Sequence, residues 1–194
     1  MGTIYDKIHE KAKPYLDTRQ NEIHVDLCYG FARRLLSFYP EADEEVVLPA
    51  ILLHDVGWKA VPEEKQLDAF GPNAKDDVSL RLHEVEGARI AREILKSLDY
   101  DGEKTKQIQA IIEGHDSRKE PLSLNDALVK DADKIWRFGP IGVDIDHRRF
   151  GVERQAHLEL LAGFLERWFF TPQAKAMASE ALDEAKATRK EKKG

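Results

Sequence analysis

Pro49-Ala50-Ile51-Leu52-Leu53-His54-Asp55-Val56-Gly57-Trp58, PAILLHDVGW, is an apolar run that ends on a histidine beside an aspartate and then meets a glycine. The apolar part reads as a helix driven into a core, which carries His54 inward with it. Burying an imidazole next to a carboxylate is costly unless something compensates both. Gly57 reads as the place where the chain turns away just after the pair. What compensates His54 and Asp55 is the question the rest of the sequence has to answer.

Outward from this run the apolar residues recur at helical spacing almost everywhere, and no alternating strand pattern is visible. The expected fold is all-α, with helices near 3–16, 20–38, 43–55, 78–97, 103–115, 123–138, 151–170 and 172–190. Pro40, Pro62, Gly71-Pro72-Asn73, Asp101-Gly102 and Pro121 punctuate them, and Asp17-Thr18 and Ser123 or Asn125 read as helix caps. The segment 56–77 is expected to be a long polar loop, 139–151 an irregular insertion, and the tail KATRKEKKG a solvated end. Trp168-Phe169-Phe170 is expected to pack internally.

With 194 residues, 42% hydrophobic and 34% charged, the composition is that of one soluble globular domain. No apolar stretch is long enough to span a membrane. The opening MGTIYDKIHEKAKPYLD lacks a signal-peptide layout, and Asp6 stands where a myristoylation signal needs Ser or Thr. A single cysteine, Cys28, excludes an internal disulfide and suits a reducing, cytoplasmic setting. The formal net charge of -6 disfavours stable binding to nucleic acid or to an anionic membrane.

Histidines break the helical pattern in a consistent way. His24 shares a stripe with Leu27, Cys28, Phe31, Leu35 and Phe38; His54 with Val47, Ala50 and Ile51. His83 aligns with Gly87, Ile90, Ala91, Ile94 and Leu98, and His115 with Ile108, Ile111 and Ile112. One such residue fits a core histidine satisfied by a neighbour. Four, at or near the ends of four core-facing stripes, point instead to a metal site built from inward side chains of a helical bundle. Mixed histidine and carboxylate ligands suit a transition metal such as Fe, Mn, Zn, Ni or Co rather than Mg or Ca. Asp131 and Asp133 flank the apolar face of the helix around Ala132 from opposite sides, and helical phase does not choose between them.

The order His24, His54-Asp55, then a late Asp in VKDADK resembles the HD-domain superfamily of metal-dependent phosphohydrolases. AILLHDVGW resembles its His-Asp helix end, and ALVKDADKI its closing acidic motif; the resemblance covers about residues 20–140. It implies a single HD domain over 1–194, with the C-terminal helices 151–190 packed on that core. It places the closing ligand at Asp133, which leaves Asp131 a supporting role. LRLHEVEGARIAREIL and IQAIIEGHDSR resemble the two histidine additions of members with two metals. The implied set is His24, His54, Asp55, His83, His115 and Asp133 around two divalent ions, with Asp55 bridging.

The expected activity is hydrolysis of a small phosphomonoester, phosphodiester or nucleotide by a metal-activated hydroxide. Asp55, Lys134, Glu84 and Asp116 are the candidate catalytic groups. Lys59, Arg118, Lys119 and Arg137 are candidate phosphate binders, with Arg148-Arg149 as further cations in the insertion. The resemblance also admits a di-iron oxygenase or a non-catalytic regulatory module that keeps its metal. Substrate identity and oligomeric state stay open at this stage.

Overall fold

A computed structural model describes residues 2–70 and 74–188. The described residues form ten α-helices and no strand, in agreement with the all-α expectation. They are α1 (Ile4–Leu16), α2 (Asn21–Leu36), α3 (Glu44–Leu53), α4 (Glu63–Ala69), α5 (Asp77–Lys96), α6 (Gly102–Ile112), α7 (Leu124–Ile135), α8 (Pro140–Arg149), α9 (Arg154–Phe164) and α10 (Pro172–Ala187). Tight 3-10 turns follow α3 (Val56–Ala60) and α7 (Trp136–Phe138).

The centre is α3, on which every residue from Val46 to Leu53 is buried. A helix that is apolar all round has to be enclosed, and α1, α2, α6 and α7 pack around it. Its start is capped by Asp43, whose carboxylate accepts the Glu45 amide at 2.9 Å. Pro49 lies inside it and offers no N–H to the carbonyl of Glu45 four residues back. The Tyr100 hydroxyl donates to that carbonyl instead, at 2.7 Å. This is how α3 tolerates a proline in its middle: a distant side chain satisfies the acceptor the ring left bare.

Two expectations for irregular structure are corrected. The segment 56–77 is not one long loop, because it holds the first 3-10 turn and α4; Pro62 sits at the N-cap of α4, with Glu63 and Glu64 in its first turn. The segment 139–151 is not an irregular insertion but largely α8, which starts with Pro140 in its first turn, where a proline loses no hydrogen bond. Asp17-Thr18 does not cap α2: the cap is Gln20, with no side-chain hydrogen bond. Ser123 caps α7 as expected, accepting from the Asp126 amide at 3.3 Å. The helix expected over 151–170 stops at Phe164, and Phe38 lies beyond α2 and is exposed. Trp168 and Phe169 pack against the core, whereas Phe170 is exposed. Residues 71–73 and the tail from 189 lie outside the described residues. The α10 helix packs against α7 and α8, and its Ala174, Ala178, Leu182 and Ala185 join the same core as α3.

Gly57 has a different role from the expected turn. A Cβ there would lie 1.8 Å from the His83 carbonyl oxygen and 2.5 Å from the Gly87 nitrogen. The glycine is required by the close passage of the first 3-10 turn over α5, which brings Trp58 onto His83.

Candidate metal centre

Six side chains from separate elements meet beneath that crossing. His24 stands in α2, His54 caps the end of α3, and Asp55 begins the first 3-10 turn. His83 comes from α5, His115 from the turn after α6, and Asp133 from α7. All six are buried. The His24 and His54 Nε2 atoms are 2.9 Å apart, and those of His83 and His115 are 3.3 Å apart. The Asp133 carboxylate reaches His24 at 3.3 Å and His54 at 3.4 Å. Asp55 lies between the two pairs, 3.3 Å from His24, 3.6 Å from His54 and 3.5 Å from His115.

The nitrogens are aimed rather than merely crowded. The Nδ1 atoms of His54 and His115 each lie 2.8 Å from a backbone carbonyl three residues earlier, Ile51 and Ile112. An N–H donated there leaves the Nε2 lone pair facing the cluster, the arrangement metal-ligating histidines use. Converging lone pairs and carboxylates need a cation between them. Three groups have ligand atoms within 4.8 Å of one another: His24, His54 and Asp133; His54, Asp55 and His115; His83, His115 and Asp116. The residues therefore fit a metal-binding site.

The electrostatics agree. Burial pushes the Asp55 and Asp133 carboxyls up, but the surrounding histidines prevail and hold both well below the usual carboxylate range. Burial lowers His54 while Asp55 and Asp133 raise it, and the carboxylates win. At His115 burial is likewise outweighed, by Asp116 and Asp55, and the group is pushed up to about 10. The raised His54 and His115 show that the carboxylates Asp55, Asp116 and Asp133 favour positive charge beside them. His83 and His24 go the other way, lowered chiefly by burial, His83 to about 4.

Three supports hold the ring of ligands. Trp58 donates its indole N–H to Asp55 at 3.1 Å and stacks on His83 with ring centroids 3.9 Å apart and planes 9° from parallel. Lys130, fully buried, gives its ammonium to the carbonyls of Gly114, His115 and Arg118 at 2.6, 2.7 and 2.9 Å. Glu84, also fully buried, accepts from the amides of Asp116 and Ser117, the Ser117 hydroxyl and Arg81. Its oxygens fix the turn after His115. Asp116 projects at the rim, 36% exposed, 3.6 Å from His83 and 3.7 Å from His115.

The two aspartates that helical phase left undecided part company. Asp131 accepts from the Phe170 and Thr171 amides and the Thr171 hydroxyl at 2.9, 2.9 and 2.7 Å. It ties α7 to the start of α10, on the side away from the histidines.

A pocket of about 30 Å³ opens on the ligands and is rimmed by Arg19, Arg137 and Arg149. Arg137 was anticipated; it pairs with Asp146 at 2.8 Å, and the same carboxylate holds Arg149 at 3.0 Å. Arg19 was not. Its backbone is left-handed (φ 51°), as is that of Gln20 (φ 61°), a conformation that costs a non-glycine residue about 1–3 kcal/mol. The turn lays the Arg19 guanidinium over Trp58 and Phe70, 4.4 and 4.5 Å from their ring centres. Burial lowers it to about 10. The Arg19 carbonyl accepts from Arg149 at 2.8 Å. Nothing in the sequence around Thr18-Arg19-Gln20 signals this, because the placement depends on where Trp58 and Phe70 arrive.

The other expected cations stand elsewhere. Lys59 and Lys119 are exposed and line neither this pocket nor the larger cavity beside it. Arg118 is tied to Asp126 at 2.7 Å and to the Ala110 carbonyl at 2.5 Å. Lys134 lines the larger cavity, with its ammonium on the Trp168 carbonyl at 3.0 Å. Arg148 opens onto a separate surface depression.

An all-α bundle that buries four histidines and two aspartates around one point has the residues to hold metal ions. A family model described as HD domain matches residues 22–137, more than half of the chain. The chain belongs to the HD domain family, which suggests a metal-dependent, hydrolase-type function. Comparison with curated proteins and with solved structures gave no match. No helix among the described residues is long and apolar enough to cross a membrane.

Proposed function

We propose that the protein is a metal-dependent phosphohydrolase, a single HD domain that cleaves a small phosphate ester. The observation that carries this reading is the joining of the His/Asp cluster to a pocket rimmed by three arginines, two of them held by Asp146. Guanidinium groups suit the planar, bidentate recognition of phosphoryl oxygens. His24, His54, Asp55, His83, His115 and Asp133 would hold two divalent ions, with Asp55 shared because it faces both histidine pairs. Ions bound there supply Lewis-acid activation of water and of a phosphoryl oxygen at neutral pH.

The chain's own groups supply the rest. Arg19, Arg137 and Arg149 bind and orient the phosphate. Trp58 fixes the Asp55 carboxylate through its indole N–H. Hydrolysis leaves the departing alcohol in need of a proton, and Asp116, the exposed carboxyl lining both cavities, is the group to supply it. Lys134 stands further back, on the wall of the larger cavity.

The test is a metal inventory of the purified protein joined to a phosphate-release screen over phosphate esters, before and after chelation. Release that disappears on chelation and returns with added transition metal is the expected result. Iron-dependent O₂ consumption with no phosphate released from any ester would overturn the hydrolase in favour of an oxygenase.

A further inference from the structure

A cavity of about 410 Å³ adjoins the arginine-rimmed pocket, and Phe70, Asp116, Asp133 and Arg137 line both. Its size falls in the range of small-molecule sites. The end shared with the metal centre is charged. The far end is largely apolar, walled by Phe150, Leu161, Phe164 and Trp168. The Phe164 and Trp168 rings stack 4.0 Å apart and 6° from parallel, and the Phe70 ring meets Phe150 edge-on at 5.9 Å.

We propose that this cavity receives the organic body of the substrate, and that this body is a flat, aromatic or otherwise apolar group carrying one polar substituent, not a sugar. The assignment rests on the phosphohydrolase reading for the phosphate end alone. A sugar brings several hydroxyls, and each one buried without a partner costs about 1–3 kcal/mol. The polar groups of the far end, among the described residues, are already committed. Asp146 is taken up by Arg137 and Arg149, and the Lys134 ammonium by the Trp168 carbonyl. His157 is different. It is 4% exposed, it lines this cavity, and neither of its ring nitrogens has a hydrogen-bond partner. A buried imidazole in that state matches one polar substituent, as donor or as acceptor.

The experiment measures binding, so that it does not depend on turnover. Metal-loaded protein is titrated calorimetrically with 1-naphthylmethylphosphonate, its hydroxynaphthyl analogue, methylphosphonate and a ribosyl phosphonate. The naphthyl compound is expected to bind at least about tenfold tighter than methylphosphonate and than the ribosyl compound. Leu161→Trp, which fills the far end, should remove that advantage. His157→Leu should remove the extra affinity of the hydroxynaphthyl analogue while leaving the naphthyl compound bound, and circular dichroism checks that both variants are folded. Equal binding of ribosyl and naphthyl phosphonates, or naphthyl affinity untouched in folded Leu161→Trp, overturns the assignment. Naphthyl preference without phosphate release from any ester would leave the cavity assignment standing and remove the reaction; phosphate release with no preference for the body would do the reverse.

Discussion

The two halves of the candidate metal centre are built by different means. His24, His54 and Asp133 stand on α2, α3 and α7, three helices of the main core, and all three are buried. His83, His115 and Asp116 form the other half, where two of the three sit in a turn rather than a helix and Asp116 reaches solvent. Apolar packing positions the first half. Polar clamps position the second, Lys130 on three carbonyls and Glu84 on the following amides, with Trp58 stacked flat against His83. Packing is spread over many contacts and tolerates small losses. A buried clamp is concentrated in one side chain, and losing it leaves several groups unpaired at once. The second half should therefore be the one that fails first.

Asp55→Ala should have the largest effect, because Asp55 touches both halves; metal content measured by elemental analysis should fall at both, and activity with it. Retention of one full equivalent would show that the halves bind independently. Lys130→Met comes next. It should destabilise the fold by roughly 2–4 kcal/mol, read in a denaturant melt, by baring three carbonyls. In the fraction that stays folded, metal should leave the His83/His115 half preferentially. Equal loss from both halves would break the contrast drawn above. His83→Ala should halve the metal content, with some loss of stability from the cavity it leaves beside Trp58. If metal and activity are both unaffected, His83 is a core histidine. Glu84→Gln should lower metal affinity at the same half by about 10–100-fold, as supporting partners of ligands commonly do. Arg19→Lys should be the mildest, raising KM for a phosphate ester with little change in kcat or metal content. An unchanged KM would remove Arg19 from the anion site.

Histidine placement was legible because helical periodicity is a local property. His24, His54, His83 and His115 each fall on an apolar stripe, and burying that stripe buries the histidine whatever the partner helix. The same logic failed for Asp131 and Asp133, which lie on either flank of one stripe; the neighbours of α7 decide which one meets the histidines. It failed also for Lys130 and Glu84. Lys130 carries no signal along its own helix, and Glu84 stands out only for lying next to His83; both are buried because a turn carrying His115 folds down onto them. Segments 56–77 and 139–151 hid α4 and α8 because short helices begun by Pro62 or Pro140 lack a long periodic pattern.

By itself, then, the sequence determined the all-α architecture and the inward set of histidines, since both follow from spacing along single helices. The tertiary structure decided which acid faces them, which cations rim the pocket and why Gly57 must be a glycine. Those are relations between residues far apart in the chain: Arg19 to Trp58 and Phe70, Lys130 to the His115 turn, and Gly57 to the backbone of α5. No period in one helix encodes where another helix will cross it.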